Sequence, residues 1–159
     1  MVYNIFFWIH TISYIVWLLA FIGSLIYYTK IRNARGQTVE RPLIRTERKI
    51  TSIGAHIGAV GILISGGAMA SIPSGPQWGW FNFSAHGWLA LKQLIFCVIL
   101  LLVVASAIVS VRFKKADRAH EGELADETLR NKWKKAFNTS LAVYLLVVVN
   151  TLLGWFRPF

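Results

Sequence analysis

Two side chains stand where an apolar solvent makes them costly: His10, in a first apolar stretch, and Lys92, in a third. Lys92 closes the segment Phe83-Ser84-Ala85-His86-Gly87-Trp88-Leu89-Ala90-Leu91-Lys92, about one and a half helical turns into its run. An ammonium group at that depth needs a partner, a water-filled cavity or a route to the surface. It either snorkels to the nearer interface, binds the carboxylate of a bound molecule, or loses its proton by desolvation and serves as a base or metal ligand. No Asp or Glu lies in any apolar stretch, so none is at hand there to neutralise it. His10 ligates iron or is a hydrogen-bonded structural residue. Its helical face also carries Ser13, Tyr14, Trp17, Phe21 and Ser24 at spacings of three or four, more polar and aromatic than lipid requires.

The elements that must position these residues are read from hydropathy. The chain has 159 residues, 55% of them hydrophobic, and holds four apolar runs of about the length that crosses a ~30 Å hydrocarbon core. They cover about 4–28, 50–72, 87–111 and 136–156. Each must be a helix, because a lipid-exposed segment satisfies its own backbone hydrogen bonds. The expectation is an all-α integral membrane protein: one transmembrane domain over 1–159, an antiparallel four-helix bundle. The first run is too long for a signal-peptide core and is read as a retained span.

The net charge of +10 is a topology signal. All of the 17 Lys and Arg residues except Lys92 and Arg157 lie in the connections after the first and third spans or at their edges. The connection from Pro73 to Ala85 has none. The positive-inside rule then puts both basic connections in the cytoplasm, both termini outside, and anionic lipid headgroups beside the basic loops. Nucleic acid is not an expected partner. Cys97 is alone, so no disulfide forms within the chain.

At a rise of about 1.5 Å per residue, His10 and Lys92 lie at nearly the same depth, roughly 9 Å inside the outer surface. Met69 is near the outer end of span two and His86 at the outer edge of span three. These four could share one outer-leaflet site. His56 enters from the other side, roughly 12 Å away from His10 in depth, so the two do not readily flank one iron. It is read as a structural residue, with ligation as the alternative. His86 is structural or interfacial by default, and His120, in a charged loop, is solvated.

Gly54, Gly58, Gly61, Ser65, Gly66 and Gly67 make span two rich in small residues. The Gly54/Gly58 spacing allows close helix approach, and missing side chains leave room for a flat cofactor. The outer connection 71–83 is uncharged and aromatic: an interfacial belt, or a lid over a pocket. Glu47-Arg48-Lys49 reads as a helix start with its charge run flanking the membrane; the alternative is that Glu47 pairs with Arg48, Lys49 or a neighbouring helix end, or binds a substrate at the inner face. The stretch 117–127 reads as solvated or interfacial. No phosphate loop, dinucleotide fingerprint, carboxylate pair or paired-cysteine site is present, so any redox chemistry falls to a bound cofactor.

Several short pieces resemble the HemJ-type protoporphyrinogen oxidases, four-span membrane proteins distantly related to CopD-type proteins. They are Ile9-His10 with Trp17, Thr46-Glu47-Arg48-Lys49-Ile50, Gly87-Trp88-Leu89-Ala90-Leu91-Lys92, Trp133 with Phe137-Asn138, and the end Arg157-Pro158-Phe159. Two positions depart from the family pattern. Ala90 stands where a histidine is favoured, and Thr139 follows Asn138 where an acid is expected. The resemblance implies haem b, oxidation of protoporphyrinogen IX to protoporphyrin IX, electron delivery to the respiratory chain through quinone, and location in the bacterial cytoplasmic membrane. It implies essential roles for His10 and Lys92, with Tyr14, Trp17 and His86 as further candidates to contact the cofactor. Substrate propionates need cations, from Lys92 on the outer side or from Arg45, Arg48 and Lys49 on the inner one. The rival readings are a cytochrome b-like electron-transfer or assembly subunit of a respiratory complex, as a homo- or hetero-oligomer, and a copper-handling protein. One cysteine and two methionines make a soft-metal site poor.

Overall fold

Each apolar run forms one long helix: α1 (Val2–Asn33), α2 (Glu40–Ser71), α3 (Phe83–Ala119) and α4 (Glu127–Phe156). The computed structural model describes residues 1–72, 79–120 and 122–156. The motif at 157–159 and the Pro73–Trp78 part of the outer connection lie outside the described residues. All four helices are long and apolar enough to cross a membrane. This is a multi-pass all-α membrane protein.

The helices outrun the spans expected from hydropathy, chiefly at the basic end. At about 1.5 Å per residue, α1 and α2 are about 48 Å long and α3 about 55 Å, well beyond a ~30 Å core. The excess carries the charge.

Local chemistry sets the ends. Gly36 takes φ +81° in the turn after α1, a left-handed conformation that favours glycine, and its N–H donates to Glu40 Oε2 at 2.8 Å. Ile72, extended at φ −72° and ψ 119°, ends α2 just before Pro73, as the residue preceding proline prefers. Asn82 Oδ1 accepts the Ala85 N–H at the start of α3, and Asp126 Oδ1 accepts the Leu129 N–H at the start of α4. Helix α3 is broken at His86, φ −145° and ψ 68°. Its continuous part begins at Gly87, where the sequence places the third span.

The chain forms two antiparallel hairpins, α1 against α2 and α3 against α4, each packed more closely within itself than against the other. The first is tight because of glycine. A Cβ at Gly54 would collide with Ala20, one at Gly61 with Ser13, and one at Gly58 would lie 3.1 Å from the Trp17 ring. Most of the small face on α2 is therefore filled by α1 rather than left for a cofactor, and only Gly66 and Gly67 keep that role. The opposite faces are lipid-facing by composition: Trp8, Ile12, Ile15, Leu19, Ile22 and Ile26 form an exposed apolar stripe along α1 at helical spacing.

At the basic end the hairpins are joined by buried charge and stacked rings. Glu47 is fully buried. Its carboxylate accepts hydrogen bonds from Ser24 on α1, from Arg48 and Thr51 on α2, and from Trp133 Nε1 on α4, at 2.7 to 3.0 Å. Helix α2 starts at Glu40 rather than at Glu47, and the alternative pairing of Glu47 with Arg48 is the one observed. Tertiary contact with α1 and α4 covers Glu47, and five donors offset the loss of water. Asp117 is likewise buried, accepting from Arg41 and Arg45 at 2.7 and 2.6 Å, so the solvated reading fails at that residue. Glu40 receives Arg130 through two nitrogens, at 2.7 and 2.8 Å. Tyr28 stacks on Phe137 and Trp133, and Phe21 on Tyr144, which ties α1 to α4.

Candidate functional site

Away from the basic end the two hairpins separate, and a cavity of about 360 Å³ opens between all four helices. That is within the roughly 300–1,000 Å³ of small-molecule sites. His10, Tyr14 and Trp17 line it from α1, Gly66, Gly67 and Met69 from α2, Lys92 from α3, and Asn150 and Gly154 from α4. Residues read separately from the sequence as chemically notable thus meet in one space. His10 and Lys92 are close enough to interact electrostatically. His86 is half-buried beside the break in α3 and is not among the lining residues.

The hydrogen bonding of His10 settles its tautomer. Ser65 is fully buried, and its hydroxyl donates to the Gly61 carbonyl at 2.5 Å. Its oxygen therefore accepts from His10, and the 3.0 Å contact to Nδ1 is an Nδ1–H donation. Nε2 is then the unprotonated nitrogen, the form a metal ligand or a base requires. Gly66 backs the ring, since a Cβ there would touch His10 Cε1 at 3.5 Å. Lys92 has a comparable seat: a Cβ at Gly154 would strike its Nζ. Lining the cavity on α4 are Val147, Asn150, Thr151 and Gly154, spaced three, four and seven apart on one helical face.

The aromatic rim belongs to the same site. Trp80 and Phe81 line the cavity, and the Trp80 ring lies over Gly67. Phe81 has φ +49°, a left-handed backbone that non-glycine residues adopt at a cost. Gln93 holds it there, accepting the Phe81 N–H at 2.6 Å and donating to the Gly79 carbonyl at 3.2 Å. Trp80 Nε1 donates to Ser71 at 3.3 Å. Trp80 and Phe81 thus extend the cavity lining into the outer connection.

His56 lies apart from this cavity. It is exposed, its Nδ1–H donates to the Ser52 carbonyl at 2.5 Å, and it lines a separate, water-sized space of about 10 Å³ with Ser106, Ser140 and Tyr144. His120 is mostly covered rather than solvated, bonding the Leu124 carbonyl at 2.7 Å.

Among the described residues no three His, Cys, Asp or Glu side chains gather as a metal site. His10, through Nε2, is the residue of this cavity that would hold a metal-bearing cofactor. Lys92 fits an acidic edge of such a group. The sequence reading missed Ser65, Asn150 and Gly154. Asn150 carried a usable signal, a polar amide inside an apolar span. Ser65 and Gly154 carried none, because their roles exist only against His10 and Lys92.

Outside the spans the carboxylates are set by their partners. Burial alone would raise Glu40 and Asp117. Hydrogen bonds and charge from Arg130 on the first, and from Arg45 and Arg41 on the second, outweigh it and hold both below the ordinary range.

No family model, no curated protein and no solved structure matches this chain.

Proposed function

We propose that this chain is a haem b-binding oxidoreductase of the bacterial cytoplasmic membrane, which oxidises protoporphyrinogen IX to protoporphyrin IX and passes electrons to the respiratory chain through quinone. The observation that carries the reading is the meeting of His10, with bare Nε2, and Lys92 on one membrane-depth cavity. His10 would hold the haem iron through Nε2, with Ser65 fixing the ring. When bound, haem supplies an electron relay between substrate and quinone. Lys92 binds a propionate, seated by Gly154. Tyr14, Trp17, Trp80 and Phe81 wall the cavity. Arg45 and Arg48 are paired with Asp117 and Glu47 at the far end of α2 from the cavity. Hydrogen removed from the substrate leaves as electrons taken up by quinone and as protons.

Reduced and oxidised visible spectra of detergent-purified wild type and His10→Ala test the cofactor. Haem bands are expected in the wild type, and their loss or displacement in the variant. Their absence from fully loaded wild type overturns the reading. Complementation of a strain lacking protoporphyrinogen oxidase tests the substrate. Haem without complementation, at normal membrane insertion, leaves a cytochrome b-like electron-transfer or assembly subunit.

A further inference from the structure

The cavity reaches the molecular surface at two different depths. Among its described lining residues five are exposed: Phe7, Trp80 and Phe81 towards the outer end of the bundle, and Leu63 and Cys97 far from any helix end. The deeper two frame one seam. The Trp80 ring lies over Gly67 of α2, and the backbone on either side of Trp80 is held by Gln93 of α3. Leu63 is one turn deeper than Gly67 on α2, and Cys97 one turn deeper than Gln93 on α3. Both therefore flank the α2–α3 seam directly beneath the Trp80–Phe81 segment. Leu63 is nine residues from Ile72 and Cys97 ten from Gly87, so the mouth lies about 13–15 Å inside the outer boundary, half-way through a ~30 Å core. Its walls, Leu63, Gly67, Phe96, Cys97 and Leu100, carry no formal charge.

Depth and chemistry select the occupant. A dicarboxylic porphyrinogen is kept near the surface by its charges, which are costly in the middle of a bilayer. The shallow opening at Phe7, Trp80 and Phe81 suits it. An isoprenoid quinone has an uncharged head and a hydrocarbon tail, and meets no such cost at mid-depth. We infer that the seam between Leu63 and Cys97 is the quinone entry: the head passes between the hairpins into the cavity, and the tail lies in the seam and runs out into the lipid. The inference rests on the proposal that quinone takes up the electrons, and it adds where the quinone binds and from which side it arrives.

The test is equilibrium binding, in lipid nanodiscs, of a benzoquinone with a two-isoprene tail and of the same head with a methyl group in place of the tail. Wild type is compared with Leu63→Trp, with Cys97→Trp and with Val104→Trp, which alters an exposed apolar residue of α3 outside the cavity. Each mouth variant is expected to weaken the tailed quinone about tenfold and leave the tail-less one unchanged. Val104→Trp should change neither. In wild type, a photoreactive group on the tail is expected to attach to α2 near Leu63 or to α3 near Cys97. Equal weakening of both quinones, no weakening of either, attachment only near Phe7 or Trp80, or failure of wild type to bind the tailed quinone would each overturn the entry. Haem spectra of the same samples separate the two readings. Haem bands without quinone binding overturn the entry and leave the haem reading standing. Tail-dependent binding through the seam without haem does the reverse.

Discussion

At the scale of single residues, the site is specified by groups that fix other groups. Ser65 makes the His10 tautomer definite by spending its own proton on Gly61. Ser65→Ala removes that acceptor and leaves a buried Nδ1–H unpaired. On the haem reading, affinity for the cofactor is expected to fall about 10–100-fold, with shifted absorption bands, read by spectral titration. Gly154 gives a complementary case. Among the described residues the atoms nearest a Cβ there belong to the Lys92 side chain, so Gly154→Ala is expected to displace the ammonium. The readout is weaker binding of an acidic ligand than of its ester, relative to wild type, at an unchanged melting temperature. His10 and Lys92 were legible from sequence because a charge or imidazole in an apolar run is conspicuous in one dimension. Ser65 and Gly154 are ordinary small residues until their neighbours across the helix contact are known.

At the scale of elements, two different devices hold the hairpins. Within the first, helix approach is set by missing side chains. Gly61→Ala drives a methyl into Ser13 and Gly54→Ala into Ala20, in both cases against short groups near the backbone that cannot swing away. Each is expected to destabilise by about 1–3 kcal/mol, measured by thermal or denaturant unfolding in detergent. Gly36 is strained by any substituent for a different reason, its φ of +81°, although nothing lies near it. The Gly54/Gly58 spacing announced close packing. It did not announce that the partner is α1, nor that the glycines left for the cavity are Gly66 and Gly67.

At the scale of the whole molecule, the bundle is clamped at one end and open at the other. The clamp is Glu47 with its five donors, together with the Glu40–Arg130 and Asp117–Arg41–Arg45 pairs that bridge the hairpins. Glu47→Ala leaves Arg48 buried without its carboxylate and is expected to cost about 3–5 kcal/mol, with Glu47→Gln intermediate, as read by melting temperature. The clamp also gives stability a pH dependence. Glu40 and Asp117 have folded values below their unfolded ones, so their contribution is complete above the ordinary carboxylate range. It drains away as pH falls through that range towards the folded values. Melting temperature is therefore expected to drop on acidification, and to drop less steeply in Asp117→Asn.

Hydropathy and charge placement alone determined the four spans, their antiparallel order and the shared depth of His10 and Lys92, since each depends only on local composition and a helical rise of about 1.5 Å per residue. Tertiary structure decided which of the charges are buried and what the cavity asks of a ligand. Glu47 read as a helix start because two of the contacts that bury it, Ser24 on α1 and Trp133 on α4, are far away in sequence. Ser65 and Gly154 joined His10 and Lys92 only when the four helices closed around the same space. Whether a polar atom is satisfied is a property of its surroundings in three dimensions, and no single stretch of sequence carries it.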